Sequence, residues 1–251
     1  RQCTVSFLPT ANGDFILTSN RDETRLRKTL SPQTATAQND KQLLYPKDEK
    51  AGGTWICASE KDQLICLLNG AFVKHKRTLP YRKSRGQIVL EFFEYKNAQQ
   101  FLDEYDLDNI EPFTLVIYDN GFLAELKWDG QKKHIRPLDI TKQHIWSSAT
   151  LYDEEMKAKR EKWFARWLAE KPIFTKKTAM HFHETAGEGN EFYDLKMNRF
   201  HLVETVSITC VERKNDTFEM TYKDFVHQKT TKANIGICLL YTSDAADDSG
   251  C

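Results

Sequence analysis

The chain has 251 residues, 40% of them hydrophobic and 12% aromatic, which is enough for one large domain or two small ones around a sizeable core. Lys plus Arg equals Asp plus Glu at 36 each, so the bulk charge makes no case for nucleic acid or an anionic membrane as partner. No apolar run approaches the roughly 20 residues needed to span a bilayer, and no secretory apolar region precedes Cys3.

Residues 4–8 and 14–19 read as two strands joined by Pro9 to Gly13, with Asn12-Gly13 as the hairpin signal. This opening returns residue 20 to the side of residue 3. Residues 24–50 are polar and irregular and are expected to form a long loop over a pocket. Gly52-Gly53 then starts a second hairpin, 54–59 and 63–69, with Trp55, Cys57 and Ser59 on one face and Ile56 and Ala58 on the other. Both faces are largely apolar, as in a sheet buried between layers. Ser84 is positioned to cap a helix over 85–95, and a second short helix spans 97–105. Strands follow at 113–118, 122–128, 132–137 and 143–148.

A helix over 153–170 carries Met156, Trp163, Phe164, Trp167 and Leu168 on its apolar face, with Lys157, Arg160 and Arg166 opposite. Pro172 stops it. A shorter helix is expected at 175–183, a loop at 187–202, and strands at 203–212 and 216–222. The order ββ–ββ–αα–ββββ–αα–ββ makes this an α+β chain. It fits two packed antiparallel sheets with helices on both outer faces, and also other α+β sandwiches.

The chemistry starts from Cys3. A thiol beside a free α-amine can be activated by that amine, whose ordinary pKa of about 7.7–8.0 leaves a useful neutral fraction at pH 7. Arg21 or Arg25 would supply a cation to lower the thiol pKa. The six cysteines show no CxxC or metal-finger spacing, which points to reduced thiols and a cytoplasmic protein. Cys57 and Cys66 read as core thiols. His181-x-His183 lies in a helical stretch, where two residues apart means opposite sides, so no metal site is expected; nor is a cofactor.

Cys3-Thr4-Val5, Ser19-Asn20-Arg21-Asp22-Glu23, Gly52-Gly53-Thr54-Trp55 and Ser84-Arg85-Gly86 together carry a resemblance. With Ser147 to Leu151 and the stretch from Thr205 to Thr209, the chain resembles the NRDE family, also called the transport and Golgi organisation 2 family, over roughly residues 3 to 225. The resemblance implies the four-layer αββα sandwich of N-terminal nucleophile hydrolases, as a single domain over 3–237.

In cysteine members of that superfamily that cleave amides, an Asn-x-Asp follows the second strand and its Asp binds the N-terminal amine. Asn20-Arg21-Asp22 matches, so Asp22 is expected to orient the amine. The Arg those enzymes place just before the Asn is Ser19 here. Arg21 stands one residue after it, either to lower the thiol pKa or to bind a substrate carboxylate, the plainer alternative being a surface ion pair with Glu23. Asn69 matches the acylase Leu-Asn as oxyanion donor. Ser148, where many family members carry an Asn, is expected to assist it. Asn20 and Trp55 are assigned to substrate binding.

The family begins Met-Cys, whereas Arg1-Gln2 precede Cys3 here, so a free amine requires another start or removal of the dipeptide. The tail from Cys238 reads as the translation of a sequencing adapter, which sets 238–251 aside as non-native.

Two functional readings from different classes follow. One is a cysteine hydrolase cleaving a non-peptide amide bond of a small molecule. The other is a non-catalytic haem or lipid/acyl-CoA binding and trafficking protein on the same fold. Neither calls for nucleic acid or a transmembrane segment.

Overall fold

In a computed structural model the chain is described over residues 2–238, the side chains of Gln2 and Cys3 excepted. The Cys3 thiol and the tail expected from Cys238, that one residue apart, lie outside the described residues. Strands β1 (Gln2–Pro9) and β2 (Phe15–Glu23) pair antiparallel across a short turn in which Asn12 and Gly13 take the left-handed conformation, φ 59° and 78°. That is the conformation Asn-Gly favours. Along both strands the side chains alternate. Val5, Phe7, Phe15 and Leu17 join the core against the second sheet, while Leu8 and Ile16 meet Trp163, Phe164, Ala179 and Phe182 from the helices behind.

The second sheet begins with β3 (Thr29–Thr36), β4 (Gln42–Asp48), β5 (Ile56–Ser59) and β6 (Gln63–Asn69). Helices α1 (Arg85–Glu91) and α2 (Ala98–Glu104) follow, then β7 (Phe113–Asp119), β8 (Phe122–Trp128), β9 (Lys133–Leu138) and β10 (His144–Ser147). Helices α3 (Glu154–Ala169) and α4 (Lys176–Thr185) lead to β11 (Asn198–Arg199), β12 (Val203–Lys214), β13 (Thr217–Asp224) and β14 (Lys229–Gly236). One antiparallel sheet runs β10-β1-β2-β12-β13-β14, with β11 on β12; the other runs β3-β4-β5-β6-β7-β8-β9. Helices α1 and α2 pack on the second sheet and α3 and α4 on the first, so the layers read helix, sheet, sheet, helix.

Three expectations change, besides the two-residue strand β11 that falls within the stretch 187–202 expected as loop. Residues 24–50 are not one loop, because β3 and β4 form a hairpin that extends the second sheet. Strand β14 is likewise an addition. Both β3 and β14 are sheet edges; β3 is mostly exposed and shows no alternation, whereas β14 turns Thr231, Ala233 and Ile235 inward, a stripe with only two apolar residues. Pro32 sits where the β3–β4 register shifts, the kind of place an edge strand tolerates it. The third change is Arg160, which is fully buried rather than on the polar face of α3. It lies four residues after Met156 and four before Phe164, on the buried stripe itself.

Candidate active site

At one end of the two sheets a cavity of about 1000 Å³ opens, and the Asn20-Arg21-Asp22-Glu23 run of β2 ends beside it. The β1 backbone shifts register at Cys3, between the pairs Gln2–Arg21 and Thr4–Asn20. This sets the backbone of Cys3 next to Arg21. Because strand residues alternate, Arg21 and Glu23 line the cavity, while Asn20 and Asp22 face the layer of α3 and α4.

Arg21 is buried, and its partner is Asp48 rather than Glu23. Its Nη2 donates to Asp48 Oδ2 at 2.8 Å, its guanidinium lies 4.6 Å from the centre of the Trp55 ring, and Nη1 has no hydrogen-bond partner. Burial pulls the Arg21 pKa down, with Asp48 and Glu23 opposing. Burial raises the Asp48 carboxyl, but the Ala51 N–H, Arg27 and Arg21 outweigh it and hold it below the usual carboxylate range.

The Gly-Gly-Thr-Trp stretch fixes Asp48. Gly52 N–H donates to the Asp48 carbonyl, and Asp48 N–H to the Gly53 carbonyl, both at 2.9 Å. Thr54 N–H donates to the Gly86 carbonyl at 3.1 Å, and a Cβ on Gly53 would stand 2.5 Å from the Gly86 carbonyl carbon. The two glycine motifs therefore touch backbone to backbone and form one wall.

Asp22 is fully buried, and each carboxylate oxygen accepts from a hydroxyl: Oδ2 from Tyr152 at 2.8 Å and Oδ1 from Thr205 at 2.6 Å. Tyr152 also lines the cavity, so it stands between Asp22 and the open space. The Arg160 guanidinium lies 3.4 Å from the centre of the Tyr152 ring and that of Arg199 5.5 Å from it. Both cations bond carbonyls: Arg160 those of Tyr193 and Asp194, Arg199 those of Phe192 and Leu151.

Asn69 ends β6 in the cavity wall, and its carboxamide has no hydrogen-bond partner among the described residues. It is thus available to a ligand oxygen. Ser148 is placed differently from the expected assisting donor. Its hydroxyl is buried and donates to the Asn69 carbonyl at 2.9 Å, with Thr150 Oγ1 3.0 Å away. A hydroxyl has one proton, so Ser148 holds the Asn69 backbone.

Asn20 does not reach the cavity. Its Nδ2 donates to the carbonyls of His183 and Leu195, at 3.1 and 2.9 Å, and its Oδ1 meets His183 Nδ1. Since Nδ2 is the donor, Oδ1 must accept, so the His183 proton is on Nδ1 and Nε2 accepts from Ser6 Oγ at 2.7 Å. All three side chains are fully buried or nearly so. Asn20→Ala would orphan two carbonyls and an imidazole N–H. It should lower unfolding free energy by about 3 kcal/mol in urea titrations, while a loss below about 1 kcal/mol would contradict this bonding.

A family profile described as Transport and Golgi organisation 2 matches residues 3–212. The chain belongs to that family. No curated protein sequence matches it. Among solved structures, two variants of conjugated bile acid hydrolase from Clostridium perfringens superpose with TM-scores of 0.52 and 0.53, at 11% identity, over 96% of this chain and 100% of theirs. An N-acylethanolamine-hydrolyzing acid amidase ortholog from Caenorhabditis elegans, 13% identical over 83% of this chain and 92% of its own, superposes with a TM-score of 0.49. The Clostridium structures show the fold, the αββα sandwich of N-terminal nucleophile hydrolases.

In this Transport and Golgi organisation 2 protein the free thiols of Cys57, Cys66 and Cys210 are buried. Burial pushes Cys66 and Cys210 up to about 12 and Cys57 well above the ordinary thiol range. Asp48, Tyr152 and Arg199 are site residues that sequence reasoning missed. Asp48 lay in a stretch read as loop, and Tyr152 and Arg199 in segments without periodicity. Arg160, which lies under the Tyr152 ring, did carry a signal, its helical spacing from Met156 and Phe164.

Proposed function

We propose that the protein is a cysteine N-terminal nucleophile hydrolase acting on a non-peptide carbon–nitrogen bond of a small-molecule amide. The observation that carries this reading is the unpartnered Asn69 carboxamide, in the wall of a ligand-sized cavity at the strand ends that hold Cys3 and Arg21. With its amine free, Cys3 passes its thiol proton to that amine, and the sulfur attacks the amide carbon. Asn69 Nδ2–H meets the oxygen as it gains charge. The leaving nitrogen takes the proton as the C–N bond breaks, and water then cleaves the thioester by the same route. Asp22, fixed by Tyr152 and Thr205, orients the amine; Ser148 positions Asn69; Arg21 and Trp55 face the substrate.

The test compares the chain beginning Arg1-Gln2-Cys3 with one beginning Met-Cys3, each exposed to an electrophilic amide or lactam probe and read by intact mass. A single adduct on the second form, absent in Cys3→Ala and formed about 100-fold more slowly in Asn69→Ala, is expected. The absence of any Cys3-dependent adduct on folded protein sinks the hydrolase. The carrier reading would then be tested by haem and acyl-CoA titration.

A further inference from the structure

Six large hydrophobic side chains stand far above the others in exposure among the described residues: Leu26 at 89%, Ile173 at 80%, Phe200 at 77%, Leu202 at 73%, Leu79 at 70% and Val73 at 68%. Five of the six fall in three short segments, 24–28, 72–83 and 198–202. Each segment also contributes to the wall of the same cavity, through Arg27, through Val73, Lys74, His75 and Arg77, and through Arg199. The segments that carry the apolar tips therefore meet at the cavity, with Val73 itself in the wall.

The same segments concentrate charge. They contain nine Lys and Arg and no Asp or Glu, in a chain whose net charge is zero. Five of these cations pair with carboxylates from elsewhere: Arg25 with Glu204, Arg27 with Glu23 and Asp48, Arg77 with Glu111, Arg82 with Asp106, and Lys83 with Glu91. Lys28, Lys74, Lys76 and Arg199 have no carboxylate within ion-pair range among the described residues. Exposed leucines beside unneutralised cations suit a surface with an apolar interior and anionic headgroups.

We propose that the rim of the cavity docks on an anionic lipid bilayer, with Leu26, Leu79, Phe200 and Leu202 entering the headgroup boundary and Lys28, Lys74 and Lys76 meeting the lipid charge. No helix among the described residues is long and apolar enough to cross a membrane, so the association is peripheral. It turns the cavity toward the bilayer, from which an amphipathic ligand would enter. The proposal stands whether or not Cys3 is a nucleophile.

The experiment is co-sedimentation of the full chain with phosphatidylcholine vesicles, with and without phosphatidylserine, at low and physiological salt. Binding should be at least about tenfold tighter to the phosphatidylserine vesicles and should weaken with salt. Lys28→Gln with Lys76→Gln should remove that preference. Leu26→Ser with Leu79→Ser should weaken binding about tenfold at unchanged charge. All four positions are exposed and outside the site, so circular dichroism should match the parent. Equal or absent binding to the two vesicles, or leucine variants that bind like the parent, would overturn the proposal. So would binding to poly(U) RNA in preference to vesicles, since the charge would then serve a nucleic acid.

Discussion

Gly53→Ala should lower the unfolding free energy by about 3 kcal/mol or more. The added Cβ would stand 2.5 Å from the Gly86 carbonyl carbon and 2.9 Å from the Gln87 nitrogen. Both are backbone atoms, so no side chain can rotate away. The contact also carries the Thr54 N–H to Gly86 bond and, through the Gly52–Asp48 turn, the acid that Arg21 bonds.

The neighbouring Gly52 provides the contrast. A Cβ there meets nothing within 4 Å, but its φ of 71° is strained for alanine, which costs about 1–2 kcal/mol. Urea titration of both variants separates collision from strain. Similar losses would mean that the two motifs are not in backbone contact. Gly53→Ala should also slow any Cys3-directed labelling, because the wall carrying Asp48 moves.

Acid should destabilise the protein through His183 well before the carboxylates titrate. Burial lowers the His183 pKa to about 3, from an ordinary value near 6.5. Between those values the unfolded chain binds a proton that the folded one refuses, so stability rises with pH across the window and is lost as pH falls through it. From pH 7 to pH 5 this one group should cost about 2 kcal/mol. The bonding explains the refusal: Nδ1–H is held by Asn20, and Nε2 accepts the Ser6 hydroxyl, so a second proton would leave Ser6 without an acceptor in a buried site. In His183→Asn the drop between pH 7 and pH 5 should be smaller by about that amount, although the variant is less stable throughout. An unchanged drop would place the acid sensitivity elsewhere. The lone-pair assignment is open to nitrogen chemical shifts of the ring.

What was legible in the sequence follows from local physics. The Asn12-Gly13 turn, the buried hairpin at 54–69 and the helix from Asp153 to near Glu170 rest on turn conformation, alternation and 3.6-residue spacing. The opening hairpin returned residue 20 to the side of residue 3, and the pairing of β1 and β2 does so, Thr4 with Asn20 and Gln2 with Arg21. Edge strand β3 was not legible, because a mostly exposed strand keeps no apolar alternation, and in β14 only Ala233 and Ile235 mark the inward face. The roles within the Asn20–Glu23 run were only partly so. Period two separates Asn20 and Asp22 from Arg21 and Glu23, but which pair meets the cavity depends on which layer covers each face of β2.

By itself, then, the sequence determined the hairpins and helices with a clear turn or period, the family and the short list of polar residues at the end of β2, since each depends on neighbours in the chain. Only the tertiary structure decided their partners. It gave Arg21 to Asp48, Asp22 to Tyr152 and Thr205, Asn20 to His183, and the Ser148 proton to Asn69. These pairs are separated by between 27 and 183 positions, and no local propensity reaches that far. They form because a buried polar group must find a partner in whichever layer packs over it.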